Sequence, residues 1–156
     1  VAYRASNNLE RFIKYIAPPH VAVADAPDSY TKLMRQRGLL YMGQPLPVYN
    51  GGCDRTIYSN ASVNYAFRAW HDKIHITHEL DFSPAGEQGV LAVHLYQMGQ
   101  YAREFHLVPD DFSAVIADVL GQVMYYQKAK AFVDNQAGFV SDARQRGILN
   151  AIEEVW

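Results

Sequence analysis

The chain is short of the features that announce a compartment or a class. Its 156 residues include one cysteine, Cys53, so no internal disulfide can form and no oxidising compartment is needed. No apolar run approaches the roughly 18 to 20 residues of a membrane-spanning helix. The opening "VAYRASNNLERF" lacks the charged-then-apolar layout of a signal peptide. These absences make the cytoplasm the expected location, and the acceptor pattern "NAS" at Asn60 carries no weight without secretion. A dominant sign of charge is missing too. The formal net charge is −2, which gives no general pull toward nucleic acid or an anionic membrane, although a local basic patch is compatible with it. Neither partner is expected; a small-molecule substrate, unidentified from sequence, is. The Gly pair in "YNGGCDR" is not followed by the Lys-Ser/Thr of a phosphate-binding loop. A lone cysteine in that turn, with no base or cation placed beside it, reads as inert.

What is present is helical periodicity. "NNLERFIKYI" puts Leu9, Phe12, Ile13 and Ile16 on one face, and "APPH" stops it. "PDSYTKLMRQRG" reads as a second helix, capped by Asp28 and ended by Gly38. The Gly- and Pro-rich stretch 39–58 predicts a loop-rich or small β insertion, with "NGG" as the turn of an irregular hairpin. From there onward helices are expected over 62–80, 84–105, 111–133 and 141–155. Ser83 is the N-cap of the second of these, with Pro84 at its first position. The expected fold is mostly α, one domain over residues 1–156, a bundle of about five helices. Faces this apolar also suit a homo-oligomer.

The chemistry is concentrated in "FRAWHDKIHITHELDFSPAGE". On a helical wheel His71, His75 and His78 fall within about 60° of one another. Phe67 and Ile74 flank that stripe, and Asp72 and Glu79 lie beside it. In the next helix Glu87, Val90, Leu91, His94, Met98 and Tyr101 share a stripe. A break this short makes the two helices antiparallel neighbours. Pairing across the hairpin sets His71 level with His94, and His78 near Glu87. Imidazole and carboxylate are ligands for zinc, iron or manganese, and facing helices are a usual place to hold them. Two ligand sets follow: His71, His75 and His94, or His75, His78 and Glu87. Two ions would use both. The competing reading is a metal-free polar network in which histidines, carboxylates and tyrosines satisfy one another.

The adjacent His71-Asp72 pair, followed by further histidines, resembles the HD-domain metal-dependent phosphohydrolases. That resemblance implies a divalent metal at the dyad, with Asp118 as the later Asp and His20 as the earlier His. His20, in a Pro-flanked loop, is an awkward match. His71-x-x-x-His75 with Asp72 is similar to the zincin motif, but aspartate replaces its glutamate and is one methylene shorter. The run "FR…HD…H…GE" also resembles uncharacterised phage and plasmid proteins carrying such a helix pair, which implies a shared site without a named activity. The residues and the first resemblance together predict a metal-dependent hydrolase, acting on phosphoesters, with Asp72, Glu79 or Glu87 as general base. The alternatives are a non-catalytic structural or partner-binding module, of phage type, and a non-haem iron oxygenase. Arg68 is a candidate for meeting an anionic substrate.

Overall fold

A computed structural model describes residues 3–156. In chain order the elements are α1 (Asn7–Ile16), β1 (His20–Val23), α2 (Tyr30–Met34), α3 (Arg37–Tyr41), β2 (Leu46–Tyr49), α4 (Ala61–His78), α5 (Pro84–Phe105), α6 (Pro109–Ala129), α7 (Gln136–Arg146) and α8 (Ile148–Ala151). The fold is mostly α, as the periodicity predicts. Helices α1, α4, α5, α6 and α7 each have ten or more residues and carry the bundle.

Helix α4 starts where the Asn60 side chain accepts from the Val63 N–H, and α5 where Ser83 accepts from Gly86, with Pro84 next in line. Both are polar caps that satisfy an otherwise orphaned N–H. The main core forms where α1, α4 and α5 meet. Leu9, Phe12 and Ile13 are fully buried, and Phe12 sets its edge against Trp70, with ring centroids 5.4 Å apart. Helices α6 and α7 extend this core through Val115, Phe139 and Val140. A buried Glu10 holds the entry to α4 by accepting from the backbone and hydroxyl of Ser59, each at 2.7 Å.

Three local expectations need correction. Residues 46–49 form a strand, but not a hairpin arm. β2 pairs in parallel with β1, His20 opposite Leu46 and Val23 opposite Tyr49, with α2 and α3 as the crossover. The second expected helix is two short ones, and its cap is Ser29, while Asp28 instead pairs with Lys32. The last helix begins earlier than expected, at Gln136, because Asn135 caps it. It breaks at Gly147, whose φ of 88° interrupts helical geometry.

Candidate metal centre

Helices α4 and α5 bring His71, His75 and Glu87 together, with one ligand atom from each within 4.8 Å of the others. The Nε2 atoms of His71 and His75 are 3.2 Å apart. Glu87 offers Oε2 to His71 Nε2 and Oε1 to His75 Nε2, each at 3.1 Å. His75 is sealed at 1% side-chain exposure, whereas His71 and Glu87 keep 21% and 16%. The cluster is therefore open to solvent along its His71–Glu87 edge.

Each ring is held from behind. His75 Nδ1 donates to the Leu80 carbonyl at 2.6 Å, which fixes its proton on Nδ1 and leaves Nε2 for the cluster. His71 Nδ1 lies 2.9 Å from His94 Nε2. His94 is fully buried, stacked on Phe67 at 5.2 Å between centroids and edge-on to Trp70 at 4.1 Å. Burial, reinforced by the charges of His71 and His75, pushes the pKa of His94 well below the usual histidine value, so it is neutral. Its Nδ1 has no hydrogen-bond partner among the described residues. Phe82 closes the His75 side, its ring 4.8 Å from the imidazole.

Proton counting shows what this arrangement asks for. Without an ion, Glu87 can accept from both rings only if His75 carries a second proton on Nε2. Two Nε2–H groups would then face each other at 3.2 Å. Burial opposes a charged His75, but the hydrogen bond and charge of Glu87 outweigh it and raise its pKa. Burial likewise raises Glu87, and its hydrogen bonds to His71 and His75 reverse this, down to about 2. An ion removes the conflict, because both Nε2 lone pairs and the carboxylate then point at one positive charge. Ligands at about 2.0–2.1 Å from a tetrahedral ion lie about 3.3 Å from one another. The His71–His75 edge matches at 3.2 Å, while the two 3.1 Å contacts of Glu87 use different oxygens, and with one oxygen chosen the three ligand atoms lie within 4.8 Å of one another.

The other residues singled out from sequence fall outside this group. His94 faces His71, as the stripes predict, but it lies behind that ring and outside the group that could hold an ion. His78 is exposed on another flank of α4, in a small depression with Lys73, Ile74 and Gln97. The set His75, His78 and Glu87 is therefore not assembled, because Glu87 meets His71 and His75 instead. Glu79 is exposed and takes the left-handed C-cap position of α4, with φ 52°. Asp72 is half-buried beside the cluster. Burial pushes its carboxyl up to about 6, opposed by the charges of His71, His75 and Arg68 and assisted by Glu87. Asp118 is buried on α6, accepts from Gln122, and is also pushed up to about 6 by burial, with His71 and Arg68 opposing. His20 opens β1 with its ring at the Pro18 carbonyl, and it is not part of the ligand group. Arg68 is held by the Tyr49 carbonyl and lies over the Tyr49 ring. Two contributors had no signal in the sequence. The Leu80 carbonyl is backbone, and Phe82 sits in a break with no periodicity to read.

No known protein family, curated protein or solved structure matches the chain. The class is therefore defined by fold and site alone: a mostly α protein with a two-histidine, one-glutamate group on adjacent helices that could hold a metal ion.

Proposed function

We propose that the protein is a metal-dependent hydrolase, with a divalent ion held by His71, His75 and Glu87 and phosphoesters as its substrates. The observation that carries this reading is the convergence of two Nε2 atoms and a carboxylate, one ligand atom from each within 4.8 Å of the others, with each imidazole hydrogen-bonded from behind. Partners of that kind fix the ring and its tautomer in metal sites. A bound ion of this type supplies a water made acidic enough to ionise near neutral pH. Three protein ligands leave coordination positions free along the open His71–Glu87 edge.

Asp72 is the general base in this reading. Glu87 is occupied as a ligand and Glu79 turns away into solvent. Asp72 lies half-buried beside His71 and is the one of the three carboxylates left free of both those roles. The choice of phosphoesters rests on the likeness of the His71-Asp72 pair to HD-domain enzymes. The two-histidine, one-carboxylate composition also suits non-haem iron, and oxygenase chemistry is the second reading.

The experiment is hydrolysis of an aryl phosphate ester by protein reconstituted with zinc, manganese or ferrous iron. Wild type should turn over, and Asp72→Asn should lose about 10²- to 10⁴-fold in rate while retaining its metal. Stoichiometric metal without hydrolysis would refute the hydrolase. Oxygen consumption by the ferrous form would then favour the oxygenase.

A further inference from the structure

The segment from Tyr30 to Met42 contains Lys32, Arg35 and Arg37 and no acidic residue. Lys32 is engaged by Asp28, whereas Arg35 and Arg37 have no carboxylate partner among the described residues. Both arginines are exposed, as is Tyr41. Helices α2 and α3 arrange this segment around an open groove of about 640 Å³, lined by Tyr30, Thr31, Met34, Arg35, Arg37, Gly38 and Tyr41. The groove is open along its length, so a ligand there would be held by contacts to its walls. The lining supplies two aromatic side chains and two cations, with no negative charge to repel a phosphate.

Tyr30 on the groove wall meets Phe82, with ring centroids 6.0 Å apart, and Phe82 meets His75 at 4.8 Å. Phe82 therefore stands between the groove and the sealed His75 side of the cluster, and the groove is a site of its own. We infer that the α2–α3 groove binds a nucleotide unit, its base against Tyr41 and a phosphate on Arg35 and Arg37. Binding in the groove does not need the metal, so it stands apart from the hydrolase reading. Stacking on aromatic faces with cations along the backbone is the usual way proteins hold unpaired nucleotides. A whole-molecule charge of −2 hides such a patch, because the acids lie elsewhere in the chain. The inference thus departs from the expectation of no nucleic-acid partner, which was drawn from net charge.

The test is binding of adenosine monophosphate and of a short single-stranded oligonucleotide, with and without a chelator, to wild type, Tyr41→Ala and the double variant Arg35→Gln, Arg37→Gln. These side chains are exposed, so an unchanged melting temperature should confirm folding. Wild type should bind at least one probe, more weakly as salt rises, and binding should survive the chelator. Each variant should weaken it about tenfold, the order expected for loss of one stacking ring or of phosphate contacts. Binding of both probes assigns a single nucleotide as the recognised unit; binding of the oligonucleotide alone assigns a strand. Wild type that binds neither probe, or variants that bind as well as wild type, would overturn the inference. Failure of the metal reading is separately visible as protein without metal that still binds the probes.

Discussion

His75 is the side chain on which the site converges. It is sealed from solvent, its Nδ1 is committed to Leu80, and its Nε2 meets both His71 and Glu87. His75→Ala should abolish tight metal binding, since two protein ligands do not hold a transition metal firmly. His94→Ala removes only the support behind His71 and should weaken affinity about 10- to 100-fold. His78→Ala should change nothing. Metal titration of the three variants checks this order, and a His78→Ala variant as damaged as His75→Ala would contradict the ligand assignment. The two raised carboxyls make a separate prediction for metal-free protein. Asp72 and Asp118 are shifted from 3.8 to about 6. Their protons are held more firmly in the native state than in the unfolded chain, so stability is lost as pH rises from about 4 to about 6. Glu87, lowered from 4.5 to about 2, acts in the opposite sense and contributes stability that disappears as pH falls through that lower window. Asp118→Asn should therefore gain about 1–3 kcal/mol at pH 8 and little at pH 4. Urea unfolding at the two values decides it; an equal effect at both would mean that ionisation of Asp118 is not the cause.

Among the elements, the α4–α5 hairpin sets the cluster, and its register is where sequence reasoning stopped short. The two stripes, the Ser83 cap and the facing of His71 and His94 were legible, because they follow from helical period and capping chemistry. The position of Glu87 was not. A symmetric hairpin sets it near His78, but α4 ends in a left-handed turn at Glu79, and the chain folds back so that the Leu80 N–H reaches the His75 carbonyl. The first turn of α5 therefore lies beside His71 and His75. Gly86 makes this close approach feasible, since a Cβ there would collide with the Asp81 carbonyl oxygen. Gly86→Ala should cost about 1–3 kcal/mol, and it should also weaken metal binding by displacing the neighbouring Glu87. Calorimetry of unfolding and of metal binding measures both. Stability lost with metal affinity intact would show that the approach of α5 to the loop does not position Glu87.

At the scale of the whole molecule, local signals carried the helices and non-local ones did not reach the sheet. Leu9, Phe12 and Ile13 form a face readable from spacing alone, and they are fully buried. "HVAV" is four residues long and pairs with a strand more than twenty residues away, so nothing local marks it. The far end of the bundle shares the main core with the site's helices but contributes no residue to the ligand group. Phe139 of α7 is fully buried against Gly121 of α6, where no Cβ intervenes. Phe139→Ala should cost about 3–5 kcal/mol and leave metal affinity unchanged below the melting transition. Loss of both would show that the bundle end and the site are one cooperative unit. The central claim is that His71, His75 and Glu87 hold an ion, and the most direct measurement is thermal unfolding of wild type and His75→Ala with and without a strong chelator, alongside elemental analysis. Wild type should carry one equivalent of metal and melt at a lower temperature on chelation, whereas His75→Ala should carry no metal and ignore the chelator. A wild type reconstituted with zinc, manganese or ferrous iron that retains no metal, and whose melting temperature ignores the chelator, would contradict it and leave the histidines as a packed polar network.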